Sequence, residues 1–380
     1  MLVRIGWEEP GVDPRIERFA RVLTEFSLPL APGDYFVIIA PPLAGDLVRA
    51  VYRHAVRKGA HVDVHGVLPG LREIFFKEAS EEQLRFVSPV ERFLLEQARH
   101  LLSINAPLNL KELSNVPPDR VAATNAARSE LMRRFMERSA TEELRWCTTV
   151  FPVPALAQEA GMSVSEYEDF VFEAGFLHLD DPVAAWQEQQ RRQQRLIEFL
   201  STVRELRFVA QDTDLRVGVA GRTWISAHGT HNFPDGEVYT GPVEDQVTGT
   251  VRFTYPGIYM GREVTDVRLT FEAGRVVEAK AAAGEEFLQA MLDTDEGARR
   301  VGEIALGTNY SITRFVKNTL FDEKIGGTMH LALGASYPET GGTNRSAIHW
   351  DLVCDLRDGG EVYADGKLIL RNGRFVDGLW

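Results

Sequence analysis

Cysteine, excess basic charge and long apolar runs are all scarce in this sequence of 380 residues. Its two cysteines, Cys147 and Cys354, belong to no CxxC pair, which disfavours both a disulfide framework and a thiolate zinc site. Acidic residues outnumber basic ones by 55 to 42, for a formal net charge of -13. Because affinity for nucleic acid depends mainly on Lys and Arg placed against phosphates, we expect no nucleic-acid partner.

Membrane and export signals are also missing. No stretch approaches the ~18 uncharged apolar residues of a membrane span, and acidic residues stand where a secretory signal needs an apolar run. The sequence contains no GxxxxGK loop, no GxGxxG after the first strand, no GxSxG elbow and no HExxH pair. We therefore expect a cytoplasmic protein with no membrane partner, in which nitrogen and oxygen atoms hold any metal.

Hydrophobic residues make up 44% of the chain, which is ordinary for a globular protein of two domains. The first part predicts a βαβ unit, with an apolar strand at 34–40, a helix at 43–58 that stops at Gly59, and a strand at 61–66. Further helices are predicted at 80–96 and 126–140. This alternation indicates an α/β domain with a doubly wound sheet.

The sequence from 163 to 207 is helical in pattern, and its Gln- and Arg-rich run at 186–195 is typical of a solvated helix face. After residue 212, short alternating strands separated by Gly and Pro turns indicate an antiparallel sheet. We therefore predict two domains: an α/β N-terminal domain with a helical connector at 1–207, and an α+β C-terminal domain at 208–380.

Candidate metal ligands fall in the second half. His349 and Asp351 are two apart in a strand-like segment, so their side chains share one side of the strand while Trp350 points to the other. Glu237, Glu303 and His330 lie among apolar neighbours, where a charged carboxylate must be paired, protonated or metal-bound. Each carboxylate taken singly is also explained by a structural salt bridge. Together these five residues form a nitrogen and oxygen set that suits two hydrolytic metals.

Four ordered motifs strengthen this interpretation, and they resemble the successive motifs of the M29 metallopeptidases, the thermophilic aminopeptidases T, S and II. The motifs lie at 237–242, 302–309, 321–338 and 348–351. The resemblance covers roughly residues 230 to 380, and the α/β first half is compatible with the rest of the family's chain. It implies a catalytic C-terminal domain.

The resemblance also implies an activity and roles for residues. The enzyme would be a metallo-aminopeptidase that releases N-terminal amino acids from peptides with a free N-terminus, using two divalent metal ions (zinc, cobalt or manganese) and an activated water. The implied metal ligands are Glu237, the bridging Glu303, His330, His349 and Asp351, with Glu323 as a further carboxylate. Tyr337 matches the active-site tyrosine, either Glu303 or Glu323 is the general base, and the family implies a homodimer.

Two other classes of function are compatible with the same residues. One is a metal-stabilised small-molecule-binding protein, in which the carboxylate cluster is structural and a ligand occupies the strand ends of the α/β domain. The other is a different dinuclear hydrolase, such as an amidase or a phosphoesterase. Metal coordination separates the first class from a peptidase, because structural metal sites are closed whereas hydrolytic sites keep a position open to water.

Overall fold

A computed structural model of the chain describes residues 13–376 and 378–380. The chain divides into two compact units, the first containing residues up to 157 together with 163–184, and the second containing 158–162 and 185–380. The predicted two-domain division at residue 207 stays a prediction, and the compact units divide earlier, inside a long helix. In the described part of the chain, no helix combines the length and the apolarity needed to cross a membrane.

The first unit contains a parallel sheet and helices. Its strands, in the spatial order β2-β1-β3-β4, are β1 (Tyr35–Ala40), β2 (His61–Gly66), β3 (His100–Asn105) and β4 (Arg145–Val150). Its helices are α1 (Pro14–Val22), α2 (Gly45–Arg57), α3 (Leu71–Glu78), α4 (Glu81–Leu84), α5 (Pro89–Gln97), α6 (Pro118–Ala127), α7 (Ser129–Ala140), α8 (Pro154–Glu159) and α9 (Val164–Ala174). The predicted βαβ unit is confirmed.

Apolar residues explain why β1 runs through the middle of this sheet. Phe36, Val37 and Ile38 are successive residues and none of them is exposed, as expected for a strand covered on both faces. On one face, Val37 packs in a cluster with Ala98 and Leu144. A strand so buried requires helices on both sides.

Two predicted helices are wrong in extent. The segment predicted as one helix at 80–96 forms α4 and α5, because Pro89 stands at the first turn of α5, where a missing N–H costs nothing. The segment predicted at 126–140 spans the end of α6 and all of α7, which meet at Arg128. The apolar residues keep a helical spacing across both breaks, so the spacing alone does not reveal where one helix ends and the next begins.

The helical connector is shorter than predicted. Helix α10 covers Pro182–Leu200, and strand β5 (Glu205–Ala210) follows it, so the helical reading through residue 207 is wrong. Leu206 and Phe208 are fully buried on alternate positions of β5, which pairs with two other strands. Sheet pairing therefore overrides the local helical pattern.

The described residues of the second unit form two antiparallel sheets and a two-stranded ribbon, which confirms the antiparallel pairing predicted after residue 212. Its strands after β5 are β6 (Thr213–Gly218), β7 (Ile225–Ala227), β8 (Asn232–Phe233), β9 (Glu237–Thr240), β10 (Val247–Arg252), β11 (Gly257–Tyr259), β12 (Arg262–Val264), β13 (Arg268–Glu272), β14 (Arg275–Lys280), β15 (Val301–Gly307), β16 (Thr328–Gly334), β17 (His349–Asp355), β18 (Glu361–Ala364), β19 (Lys367–Arg371) and β20 (Arg374–Phe375). Its later helices are α11 (Glu285–Leu292) and α12 (Thr319–Asp322).

The sheet orders decide which strands lie side by side. The larger sheet has the order β14-β13-β10-β6-β5-β18-β19-β20, and the smaller one has the order β17-β16-β15-β9-β7. One hydrophobic core includes Phe208 and Leu269 of the larger sheet with Ile304, Leu331 and Trp350 of the smaller sheet. Each sheet therefore turns one apolar face to the core, and the other face of the smaller sheet is available for polar side chains.

Candidate metal centre

Three neighbouring strands of the smaller sheet place candidate ligands on one face. Glu303 of β15 lies opposite Ala332 of β16, which in turn lies opposite Asp351 of β17. Side chains of directly paired residues stand on the same face, so Glu303 and Asp351 face the same side of the sheet. His349 lies two residues before Asp351 on that face, and Trp350 between them is buried in the core, as predicted.

Strand β9, which pairs with β15 on the side away from β16, adds a further carboxylate. Glu237 lies opposite Gly307 of β15, and His330 of β16 lies opposite Ala305 of β15. The sheet face that carries these candidate ligands thus has small residues at Ala305, Gly307 and Ala332. Their lack of bulk leaves the space into which the longer Glu and His side chains extend.

The predicted ligands converge to short distances. His330 Nε2 lies 3.2 Å from Glu303 Oε1 and 3.4 Å from Glu237 Oε2. His349 Nε2 lies 3.5 Å from Glu303 Oε2 and 3.4 Å from Asp351 Oδ1. Glu303 therefore directs one oxygen toward each histidine, which is the geometry that a bridging carboxylate needs.

Backbone carbonyls orient both histidines. The Nδ1 atom of His330 lies 3.1 Å from the carbonyl oxygen of Glu323, and the Nδ1 atom of His349 lies 2.9 Å from that of Ala335. When each Nδ1–H donates to its carbonyl, each Nε2 is left to bind a cation. Such a second hydrogen bond is the usual support of a histidine that binds a metal.

The residues fit divalent cations. Three sets of ligand atoms each lie within 4.8 Å of one another: Glu237, Glu303 and His330; Glu303, His349 and Asp351; and Glu323, His330 and Asp351. The Oε2 atom of Glu237 is buried and accepts no hydrogen bond. Burying an unsatisfied carboxylate oxygen is costly, and a bound cation removes that cost. All six predicted metal ligands are thus brought together.

Shifts in pKa show how strongly these groups interact. Burial raises the pKa of Glu237 to about 8, against the opposing effect of a nearby lysine. Burial alone would lower the pKa of His330, but the carboxylates of Glu237 and Glu303 outweigh it and raise this pKa to about 10. The protonated imidazole of His330 thus offsets the charge of these carboxylates, as a bound cation would.

A buried lysine that the motif analysis missed borders this cluster. The Nζ atom of Lys324 contacts a carboxylate oxygen of Glu237, lies 2.5 Å from Glu323 Oε1 and lies 3.5 Å from Asp235 Oδ1. Lys324 is only 1% exposed. Burial alone would lower the pKa of Lys324, but the three carboxylates raise it well above its usual range. No sequence signal separated Lys324 from ordinary lysines, which are almost always exposed.

Tyr337 lies at the rim of the cluster. Its ring centroid is 5.1 Å from that of His349 and 5.7 Å from that of Tyr239, and its side chain is partly exposed. Burial and the neighbouring carboxylates raise the pKa values of both tyrosines, so both phenols keep their protons. Tyr239 was not predicted, although it lies two residues after Glu237 and strand alternation places it on the same face.

The end of β15 is held by helix α10. Gln189 and Gln193 are buried, and their side-chain amides donate to oxygen atoms of Thr308 at distances of 2.9 to 3.1 Å. Glu188 forms ion pairs with neighbouring arginines on the exposed side of the helix. The predicted solvated helix face is therefore wrong for the two glutamines, which support the strand that carries Glu303.

A sheet face that gathers buried carboxylates and imidazoles is typical of proteins that bind metal through nitrogen and oxygen ligands. Comparison with known protein families agrees with this class. The model of the family described as "Thermophilic metalloprotease (M29)" matches residues 12–375, so the chain belongs to this family. A divalent metal cofactor follows from that membership.

Named relatives match over nearly their whole length. Aminopeptidase 2 of Geobacillus stearothermophilus is 33% identical, with 98% of each chain covered. Aminopeptidase T of Thermus thermophilus is 30% identical, with 95% of this chain and 98% of the relative covered. The solved structure of wild-type AmpT from Thermus thermophilus has a TM-score of 0.83 at 29% identity, covering 95% of this chain and 99% of that one.

Proposed function

We propose that this chain is a metal-dependent aminopeptidase that removes N-terminal amino acids from peptides with a free N-terminus. The observation that carries the proposal is the convergence of Glu237, Glu303, His330, His349 and Asp351 from four strands on one face of a sheet. Membership of a metalloprotease family supports hydrolysis, and the aminopeptidase names of full-length relatives support the peptide substrate.

The ligand sets support a dinuclear centre with Glu303 as the bridge. Glu237 and His330 would hold one cation, His349 and Asp351 the other, and Glu323 would add a further carboxylate. Zinc, cobalt and manganese all accept such nitrogen and oxygen ligands. When bound, a pair of divalent cations polarises the scissile carbonyl and lowers the pKa of the attacking water.

The two candidates for the general base have different surroundings. Both oxygens of Glu303 face histidine nitrogens, as a bridging ligand requires. Glu323 contacts Lys324 through Oε1, and its side chain is 14% exposed, compared with 5% for Glu303. We therefore assign to Glu323 the acceptance of the proton from water and its transfer to the leaving amine.

The more exposed edge of the cluster suggests where the peptide binds. The side chain of His349 is 26% exposed and that of Asp351 is 16%, whereas that of Glu237 is 6%. Tyr337 stands beside His349 at this edge and keeps its proton, so its hydroxyl can donate a hydrogen bond to the developing oxyanion. Oxyanion donors of this kind contribute ~3 kcal/mol. The free α-amine of the substrate would be anchored by an acidic side chain or a cation.

The solvent exposure of this edge argues against one of the two alternative functions. A structural metal site in a binding protein is closed by its ligands, whereas His349 and Asp351 are open to solvent here. A different dinuclear hydrolase would use the same ligands, because the metal set does not determine the scissile bond. A panel of aminoacyl amide, peptide and phosphoester substrates distinguishes these activities.

Metal removal tests the proposed function directly. We expect a chelator to abolish hydrolysis of a leucyl substrate, and zinc, cobalt or manganese to restore it. The matched control is the same substrate with an acetylated α-amine, which should not be cleaved at any metal concentration. Full activity in a sample shown by elemental analysis to contain no metal would end the hypothesis.

Three further properties are proposed with this function. We propose that residues 208–380 form the catalytic domain, with the doubly wound α/β domain and connector at 1–207, that the protein acts in the cytoplasm and that it is a homodimer. Large exposed apolar side chains of the first unit, such as Phe86, Phe93 and Met132, support a protein contact there. Sedimentation at micromolar concentration tests the dimer, and cell fractionation tests the location.

A further inference from the structure

The buried ammonium group of Lys324 makes the metal cluster asymmetric. Its ion-pair partners include two candidate ligands: Glu237, which is grouped with Glu303 and His330, and Glu323, which is grouped with His330 and Asp351. Among the described residues, no ion pair links it to His349 or Asp351, the ligands on the other side of Glu303. A cation held by Glu237 would therefore share its carboxylate with a positive charge, and a cation held by Asp351 would not.

A fixed carboxylate outside the ligand sets holds Lys324 beside the cluster. Asp235, its third partner, belongs to none of the ligand sets and is 2% exposed. The carboxylate of Asp235 is itself fixed, because it accepts hydrogen bonds from the backbone N–H groups of Gly236 and Gly229. We therefore expect Lys324 to keep this ion pair when cations bind, because leaving it would strand a buried, unpaired charge.

We propose that Lys324 makes the two metal positions unequal, so that the cation on the Glu237 side binds weakly and exchanges while the cation on the Asp351 side is held tightly. This inference rests on the proposed dinuclear centre. The physical cause is charge repulsion in a buried site, where the effective dielectric is far below that of water and a neighbouring unit charge alters affinity by about tenfold or more.

The unequal positions have a consequence for the enzyme. At low free metal the chain would hold only the cation between Glu303, His349 and Asp351, and hydrolysis would wait for the second cation. Activity would then follow the concentration of free divalent cation, with the affinity of the Glu237 side as its threshold. Lys324 is a positioning residue in this scheme, since it acts on Glu237 and Glu323.

Titration of metal-free protein with Mn²⁺, followed by calorimetry, tests the inference without measuring activity. We expect two stages in the wild-type protein that differ in affinity by about tenfold or more. In Lys324→Gln, which keeps a polar group and removes the charge, the weaker stage should tighten by about tenfold or more while the tighter stage changes less than about threefold. Lys324→Arg, which keeps the charge, should retain two unequal stages.

The matched control is Lys280→Gln, which removes a lysine that pairs with Glu278 at the surface of the larger sheet. It should leave both stages unchanged. Circular dichroism of each variant checks the fold, and the wild-type titration tests the inference even if Lys324→Gln does not fold.

Several outcomes would overturn the proposal. Two equal stages in the wild-type protein would refute the role of Lys324 but not the dinuclear centre. A weaker stage that Lys324→Gln leaves unchanged or abolishes would do the same. A single equivalent of Mn²⁺ in both proteins refutes the dinuclear centre as well. Peptide hydrolysis, measured separately at saturating metal, shows whether the proposed aminopeptidase activity fails with it.

Discussion

Two buried histidines, one in each unit, have opposite electrostatic surroundings. His100 of β3 lies 3.0 Å from the carboxylate of Asp34, and burial lowers its pKa despite that partner. His330 of β16 is equally buried, but Glu237 and Glu303 both face it, and its pKa is raised to about 10. One carboxylate does not compensate the burial of an imidazolium, whereas two do. The difference distinguishes a structural pair from a site that attracts cations.

The sheets that carry these histidines also differ in the charged residues that they bury. β1 of the first unit is buried among apolar side chains, as expected for a covered parallel strand. β15 and β16 are buried at all seven positions, yet they carry Glu303 and His330. Burial alone therefore does not identify a hydrophobic strand, and a charged face survives burial only where its charges are balanced.

Removing the negative charge of Glu303 should lower activity more than any other substitution we propose. We expect Glu303→Gln to lower kcat/KM by roughly 10³-fold or more, because the ligand that we propose both metal positions share would lose its charge. Steady-state hydrolysis of a leucyl substrate measures the loss, and circular dichroism confirms the fold. The control is Glu361→Gln at an exposed ion pair with Arg371. Unaltered turnover in Glu303→Gln would place the chemistry elsewhere.

Removing the rim phenol should have a smaller effect. Tyr337→Phe should lower kcat by about 100-fold, the usual size for a lost oxyanion donor, while the affinity for Mn²⁺ stays unchanged. Comparison of kcat with the calorimetric titration separates the two. Tyr255→Phe is a suitable control, since its hydroxyl donates to Asp355 away from the ligands. A kcat equal to that of wild type would remove Tyr337 from the mechanism.

The histidine of the first unit should affect only stability. The pKa of His100 is lowered in the folded chain by burial, with Arg99 and Arg145 adding to the shift and Asp34 opposing it. The unfolded chain therefore binds the proton more tightly, so this stability is present above about pH 6.5 and lost as the pH falls. In His100→Asn, we expect the change in Tm between pH 5 and 7 to shrink by about 2 °C.

Activity at pH 7 should not change in this variant, because His100 lies among none of the ligand sets. Differential scanning calorimetry across the pH range provides the measurement. A pH dependence of Tm identical to that of wild type would show that His100 does not contribute, and lost activity would contradict the contrast between the two histidines.

The predicted ligands came from local features that the structure brings together. The spacing of His349 and Asp351 indicated a shared strand face, and the apolar neighbours of Glu303 indicated a buried carboxylate. Lys324 was missed because a single lysine after Glu323 has the same local pattern whether it is solvated or buried. Gln189 and Gln193 were missed because a polar helix run does not show which of its residues face a strand.

Strand alternation, the lack of thiolate ligands and the order of the motifs follow from the sequence alone, because these features depend on neighbouring residues and on composition. The fold brings β9, β15, β16 and β17 side by side, in a register that places Glu237 and Asp351 on one sheet face. It also decided that Lys324 is buried on one side of that face. Pairing between distant segments follows from the packing of the whole core, which no local pattern contains.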